Sequence, residues 1–341
     1  MFNISKITRK NIRDLTPYSS ARDEFNAEAK IWLDANENPN DTGLNRYPDP
    51  YQMDLKNAIS KIKDVNTDKI FVGNGSDEVI DLLFRAFCEP QLDRAFIFPP
   101  TYGMYEVSAK INNIEIVELS LKDNYELPDI EVIKNDIQSK GLLFICSPNN
   151  PTGNLYPLKA IKELADNFQG LVVVDEAYID FSNSESAISL IHNTLNLVVL
   201  QTLSKAYGMA GARLGMAFTN PQIIRVLNKI KPPYNVNTLS QRKGVETLKN
   251  KEIVKLQVSQ TKAQREMLIT ALKGIQCIKK IYPTKANFIL VEFNDAQTVF
   301  TKLRSEGIIV RDRTKQIEGA LRITIGSPEE NNQLIKTLKQ L

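Results

Sequence analysis

The sequence predicts an α/β protein in two parts: a large domain with a mostly parallel sheet sandwiched by helices, and a smaller α/β domain after it. Three observations carry that prediction. Short apolar runs alternate with helix-like stretches over roughly 170 residues. Several of those runs are apolar at nearly every position rather than at every second one, as in strands buried on both faces. And 341 residues exceed the roughly 150 that an ordinary domain holds.

Residues 1–44 read as an irregular arm, broken by Pro17 and Pro39 and by the polar run Asn36-Glu37-Asn38-Pro39-Asn40, and are expected to pack beside the small domain. The large domain, 45–244, opens on the turn-forming Pro48 and Pro50. Apolar residues at helical spacing place helices at 52–63, 77–87 and 157–168. Apolar runs place strands at 94–98, 114–119, 142–146, 171–174, 197–203 and 212–218. A long, charged, helix-friendly stretch at 240–273, with Lys249, Lys251, Glu252 and Lys262, leads into the small domain, 245–341. There the pattern suggests a strand at 287–292, a helix at 296–305, strands at 308–310 and 321–325, and a helix at 328–341. No internal repeat and no low-complexity segment appears.

Composition narrows the function classes. Apolar residues are 42% and charged residues 24%, ordinary for a globular chain. With 43 Lys and Arg against 40 Asp and Glu the net charge is +3, which makes no electrostatic case for nucleic acid. The single histidine, His192, excludes HExxH zinc sites and any other two-histidine centre, and no metal is expected. Cys88, Cys146 and Cys277 are odd in number, far apart and never in a CxxC pair. That argues against a disulfide framework and fits a reducing compartment. Lys6, Arg9, Lys10, Arg13, Arg22, Asp23 and Glu24 interrupt the N-terminal region, so no signal peptide is expected there. Unbroken apolar runs reach about five residues, far below the ~20 of a membrane helix. The expectation is a soluble, cytoplasmic protein.

Three polar motifs share one topological position, the carboxyl end of a predicted strand. Ser147-Pro148-Asn149-Asn150-Pro151-Thr152-Gly153 follows the run at 142–146, Asp175-Glu176-Ala177-Tyr178 follows 171–174, and Thr202-Leu203-Ser204-Lys205 closes the run from Leu197. Ligands of open α/β sheets bind beyond those ends. An amine there can condense with a carbonyl cofactor, and a carboxylate can hold a protonated pyridine nitrogen. Thr202, Ser204 and the forked guanidinium of Arg213 suit a phosphate. So do the backbone N–H groups of Gly73-Asn74-Gly75-Ser76-Asp77-Glu78 ahead of a helix. That glycine loop fails as a dinucleotide fingerprint, because Glu78 stands where a glycine is required. Taken singly, Asp175 reads equally as a turn cap, and Asn-Pro-Thr-Gly at 150–153 as a turn. Jointly, aldehyde, ring nitrogen, ring oxygen and phosphate all find a partner, which is the outline of pyridoxal phosphate.

The order NPTG, DEAY, SK and a downstream arginine resembles the fold-type I pyridoxal-phosphate-dependent transferases, specifically the class II aminotransferases. Over nearly the whole chain the sequence is similar to the histidinol-phosphate aminotransferase family. The stretches carrying this are LDANEN (33–38), NRYPDP (45–50), GNGSDE (73–78), RAFCEP (85–90), PPTYGMY (99–105), CSPNNPTG (146–153), DEAYIDF (175–181), TLSKAYGMAGARLG (202–215) and LRITIG (321–326).

The resemblance implies that Lys205 is the Schiff-base lysine and proton shuttle, and that Asp175 pairs with the pyridinium nitrogen. It implies that Asn150 and Tyr178 bond the ring oxygen, and that Tyr102 stacks on the ring, a position equally open to a core aromatic. Ser76, Asp77, Thr202, Ser204 and Arg213 would bind the cofactor phosphate, the first two partly through backbone N–H. Tyr47 would reach the phosphate of a neighbouring subunit in a homodimer, or else form a surface turn before Pro48. Arg322 would clamp the α-carboxylate of the amino-acid partner and, in histidinol phosphate, the substrate phosphate. Arg311 would assist, or pair with Asp312 or Glu318. Tyr18 and Asn36 would close over the substrate, or pack as ordinary loop.

The implied reaction is ping-pong amino transfer between histidinol phosphate and 2-oxoglutarate, yielding imidazole-acetol phosphate and glutamate. An aromatic aminotransferase or a threonine-phosphate decarboxylase would keep Lys205 and Asp175. A pyridoxal-phosphate-binding regulator would need a fused DNA-binding domain, for which the first 50 residues show no evident room. His192 sits between two predicted strands, away from every motif, and reads as a solvent-side linker residue.

Overall fold

The computed structural model describes residues 3–19, 25 and 30–341. Its strands are Ile70–Asn74 (β1), Arg94–Ile97 (β2), Glu115–Glu118 (β3), Gly141–Cys146 (β4), Leu171–Asp175 (β5), Leu197–Thr202 (β6), Leu214–Thr219 (β7), Ile278–Ile281 (β8), Phe288–Phe293 (β9), Arg311–Asp312 (β10) and Ala320–Thr324 (β11). The first seven form one sheet in the order β1-β7-β6-β5-β4-β2-β3. Five of them pair parallel, from β6 through β5, β4 and β2 to β3, and β7 runs antiparallel to both its neighbours. β4, β5, β6 and β7 are buried along their whole length, which is why their sequences are apolar nearly throughout, with polar residues only at the ends of β5, β6 and β7.

Period-two alternation sends Val172 and Val174 of β5 to one helical layer and Leu171 and Val173 to the other. The first layer takes Leu55 and Ile59 from the helix Met53–Lys63 and Ile161 and Leu164 from Leu158–Asn167. The second takes Val79, Ile80 and Leu83 from Ser76–Phe87, Tyr105 from Met104–Ile111, and Ile223 and Leu227 from Pro221–Ile230. β1, β8 and the helices at 104–111 and 221–230 were not foreseen. The apolar run of β1 ends after Val72, too short to stand out from its surroundings.

The second sheet, in the order β10-β11-β9-β8, is antiparallel throughout. One face packs on the helices Lys251–Leu272, Ala296–Ser305 and Pro328–Leu338. The last of these begins with a reciprocal capping box between Ser327 and Glu330. The stretch at 240–273 is two helices rather than one. Asn250, with ψ 37°, ends Thr238–Lys249 before Lys251–Leu272 begins. The strand expected at 308–310 is displaced. Ile308 and Val310 pack against the small core, and pairing starts only at Arg311, opposite Arg322.

The described beginning of the arm lies on the large domain, which corrects the expectation that it packs beside the small one. Ile7 joins the core layer with Val79 and Ile80. Arg9 donates from its backbone to the Ala86 carbonyl at 3.0 Å and from its side chain to that of Arg85 at 3.1 Å. Lys229 reaches the Arg13 carbonyl at 2.8 Å. The apolar side of this short turn has a ready partner in the helix Ser76–Phe87. No helix among the described residues is long and apolar enough to cross a membrane.

One close approach decides how the site is assembled. A Cβ on Gly215 of β7 would stand 2.2 Å from the Ser76 nitrogen and 2.3 Å from the Gly75 carbonyl carbon. Only glycine lets the start of the helix Ser76–Phe87 settle against β7. Gly215→Ala is therefore expected to destabilise the fold by about 1–3 kcal/mol, seen as a lowered urea midpoint. An unchanged midpoint would show that the loop yields freely.

Candidate active site

The parallel strands all end at one edge of the large sheet, and their register aligns the motifs. Cys146 of β4 pairs with Asp175, Asp175 with Leu200 of β6, and Thr202 with Gly215. Because β7 is antiparallel, its first residues lie at the same edge, with Arg213 immediately before them. The cleft formed there is lined by Ser76, Asp77, Tyr102, Cys146, Asn150, Asp175, Ala177, Tyr178, Thr202, Ser204, Lys205 and Arg213.

Asp175 is buried at the floor. Its carboxylate accepts from the Tyr105 hydroxyl at 2.8 Å and from the Ala177 N–H at 3.1 Å. Burial pushes its pKa up, and these two donors work against that shift. Tyr105 was not foreseen as a functional residue, although it stands in the quoted PPTYGMY stretch. It is fully buried, stacks on Phe144 with centroids 4.5 Å apart, and meets Tyr102 edge-on. Its three-residue spacing from Tyr102, at the start of a helix, was the available signal.

Lys205 opens to the cleft, with its Nζ 5.7 Å from the centre of the Tyr178 ring. Desolvation and then the nearby Arg322 lower its pKa, against the opposing pull of Asp175. A lysine of that kind carries more of the neutral amine, the nucleophilic form. Arg213 adopts a left-handed backbone, φ 54°, which costs a non-glycine residue stability and marks a constrained position. Its guanidinium lies 3.4 Å from Asp77, whose carboxylate also accepts from the Tyr102 hydroxyl at 3.0 Å. Ser76 and Asp77 open their helix, so their N–H groups have no partner within it. Thr202 lines the cleft with its hydroxyl already committed. It donates to the Leu214 carbonyl and accepts from the Ser204 N–H, each at 3.0 Å, bracing the turn that presents Ser204 and Lys205.

Arg322 and Arg311 of the small sheet are not among the residues lining the cleft, and Arg311 borders a separate hollow. Arg322 donates to the Asn150 carboxamide oxygen and lies over the Phe288 ring, 5.3 Å from its centre. Asn150 in turn reaches the Tyr178 hydroxyl at 3.5 Å. Arg311 pairs with neither Asp312 nor Glu318. Asp312 instead accepts from Thr314, from its N–H at 2.8 Å and its hydroxyl at 2.7 Å.

Tyr18, Asn36 and Tyr47 are not among the residues lining the cleft. Tyr18 is 72% exposed. Asn36 and Tyr47 border a separate hollow, where Tyr47 stacks on Tyr234 with centroids 4.4 Å apart. Glu37 holds that loop by pairing with Arg46 and accepting from the Tyr47 N–H. His192 is exposed, 2.9 Å from the Lys69 amine and away from the cleft, as expected.

The profile of the aminotransferase class I and II family matches residues 22–338. The chain belongs to that family. Two curated relatives named histidinol-phosphate aminotransferase, from Christiangramia forsetii and Flavobacterium johnsoniae, are each 49% identical to it. The matches span all of this chain and 98% and 99% of theirs. Among solved structures, the histidinol-phosphate aminotransferase of Clostridium acetobutylicum superposes with a TM-score of 0.79 at 26% identity, covering 87% of this chain and 91% of that one. The L-threonine-O-3-phosphate decarboxylase of Porphyromonas gingivalis shares the fold at a TM-score of 0.74 and 24% identity, over 86% of this chain and 90% of its own.

The raised Asp175 pKa has a sign that can be measured. A carboxyl whose folded pKa lies above its unfolded value stabilises the fold below the unfolded pKa and loses that contribution as pH rises through the folded one. In protein stripped of small molecules, Asp175→Asn should therefore gain urea resistance over the wild type as pH rises toward 8. The difference should close near about pH 4. A variant less stable than wild type at pH 8 would contradict this electrostatic reading.

Proposed function

We propose that this family member is a pyridoxal-phosphate-dependent histidinol-phosphate aminotransferase of histidine biosynthesis, cytoplasmic and homodimeric. It transfers the amino group reversibly between L-histidinol phosphate and 2-oxoglutarate, with imidazole-acetol phosphate and glutamate on the other side. The observation that carries the reading is one convergence: a buried carboxylate, an amine of lowered pKa and an arginine at a helix start share one sheet edge. Relatives of nearly half-identical sequence over their full length carry that name.

Pyridoxal phosphate, when bound, supplies a carbonyl carbon for amines and a ring that withdraws electrons from the substrate Cα. The residues fit such a group. Asp175 has acceptor capacity left beyond Tyr105 and Ala177 to hold a ring N–H. Arg213, Ser204 and the first N–H groups of the helix Ser76–Phe87 form an anion cradle so tight that a Cβ on Gly75 would stand 2.6 Å from the Arg213 guanidinium.

Lys205 would hold the cofactor through its amine, and its Nζ would carry the proton taken from the substrate Cα. Tyr102 would cover the ring, and Asn150 and Tyr178 would bond its oxygen. Arg322 receives the substrate phosphate in one half of the cycle and a carboxylate in the other, a task suited to a guanidinium fork. Tyr47 reaches the cofactor phosphate of a second subunit. Exposed apolar side chains at Leu33, Leu44 and Leu239, around the loop that carries it, favour burial against a second copy.

A half-reaction scan tests the reading. Histidinol phosphate should convert the visible cofactor band without releasing CO₂. Conversion by phenylalanine alone, or CO₂ from threonine phosphate, would replace it with the aromatic or decarboxylase alternative. Lys205→Ala should lose the borohydride-reducible linkage and slow turnover by about 10²–10⁴-fold. For the shared site, Tyr47→Phe should weaken cofactor retention roughly tenfold or more in a protein that sediments as a dimer. Full activity in a monomer would overturn that part.

A further inference from the structure

We propose that Arg313, acting beside Arg311 and Arg322, binds the substrate's phosphate and sets the preference for a phosphate over a carboxylate at that end of the pocket. This rests on the functional reading above and extends it to a residue that no motif identified.

The argument begins with strand register. Arg311 of β10 lies directly opposite Arg322 of β11, so their side chains share one face of the small sheet. The ladder runs on past β10, since the Arg313 N–H donates to the Ala320 carbonyl at 3.0 Å. Arg313 is two residues beyond Arg311 and Ala320 is two before Arg322, so Arg313 stands on the same face. Leu321 and Ile323, on the opposite face, belong to the small domain's core. Three guanidinium groups thus cluster on the face turned away from that core.

Among the described residues no carboxylate forms a salt bridge with them. Asp312, pointing the other way, is held by Thr314. Arg313 makes one weak side-chain contact, to the Gln316 amide oxygen at 3.4 Å. The Nε atoms of both Arg313 and Arg322 are buried without a hydrogen-bond partner. Burial together with Arg322 and Arg311 pushes the Arg313 pKa down to about 10, while the Tyr178 hydroxyl of the cleft pulls the other way. Arg311 and Arg313 also border a hollow of about 660 Å³, which Arg304 and Lys315 line as well and in which Asp312 is the one carboxylate among the lining residues. Like charges opposite one another in a sheet are destabilising, and unmet buried donors are costly. An anion answers both.

The class of anion follows from counting donors. A carboxylate has one charge and two oxygens, which the fork of Arg322 alone can satisfy. A phosphate monoester carries nearly two charges and three terminal oxygens, leaving acceptors for further guanidinium groups. Arg313 then matters for the phosphorylated substrate and little for glutamate.

The test compares two amino donors on one cofactor form of the loaded enzyme. Arg313→Gln should weaken the apparent affinity for histidinol phosphate by about 10- to 100-fold. Its affinity for glutamate should change by less than about threefold. Arg313→Lys, which keeps the charge and loses the fork, should fall between wild type and Arg313→Gln. Inorganic phosphate should raise the melting temperature of the loaded wild type, and that shift should shrink in Arg313→Gln. Equal weakening for both donors, or a phosphate shift unchanged by the substitution, would overturn the proposal. Should the wild type fail to react with histidinol phosphate, the functional reading falls, while an Arg313-dependent phosphate shift would still uphold the anion site.

Discussion

Asp175 is a carboxylate at the end of a strand buried along its whole length, and most of the site is arranged around that charge. A carboxyl in such a place tends to neutralise itself by taking up a proton. Tyr105 and the Ala177 N–H oppose this by donating to its two oxygens. Tyr105 can do so because the helix Met104–Ile111 packs on the same layer as Phe144. The next residue, Glu176, is equally buried on the other side of the turn. It accepts from Ser186, from the Ala187 N–H and from Gln201, which fixes the loop carrying Tyr178. Two buried carboxylates in sequence, each satisfied by a different layer, hold the turn rigid.

The second dependency is the junction between the sheets. The Lys285 N–H donates to the Gly153 carbonyl at 2.7 Å, and a Cβ on Gly153 would collide with Thr284. Arg265, buried, donates to the carbonyls of Phe181 and Ala286. These contacts tie the loops after β4 and β5 to the approach of β9. They bring Arg322, on the outer face of an antiparallel sheet, against Asn150 from a parallel one. Large-domain residues line the cleft, and Arg322 reaches its edge across that seam.

Much of the fold was legible because its strongest signals are local. β4, β5 and β6 are apolar up to their last one or two residues and run into polar turns, so both the strands and the residues at their ends could be read directly. β1 was missed because three apolar residues before Gly73 carry too little pattern, and β8 because Lys279 and Lys280 interrupt it. Tyr105 and Arg313 went unnoticed for a different reason. A tyrosine and an arginine have ordinary core and surface roles, and only the partner opposite reveals another.

The sequence by itself determined the α/β class, the buried strands, and the set of carboxylate, carboxamide, phenol, amine and arginine placed at their ends. Those depend on residue type and on spacing within one segment, where burial and hydrogen bonding leave periodic marks. The tertiary structure decided which of these meet. It laid the first turns of the arm on the large domain, left Tyr18, Asn36 and Tyr47 outside the cleft of their own chain, and put three arginines on one face. Such outcomes turn on register and packing between segments, which leave no periodic mark within either one. A one-residue slip in β10 would turn Arg311 and Arg313 to the opposite face, and what opposes it is the packing of Val310 against the small core.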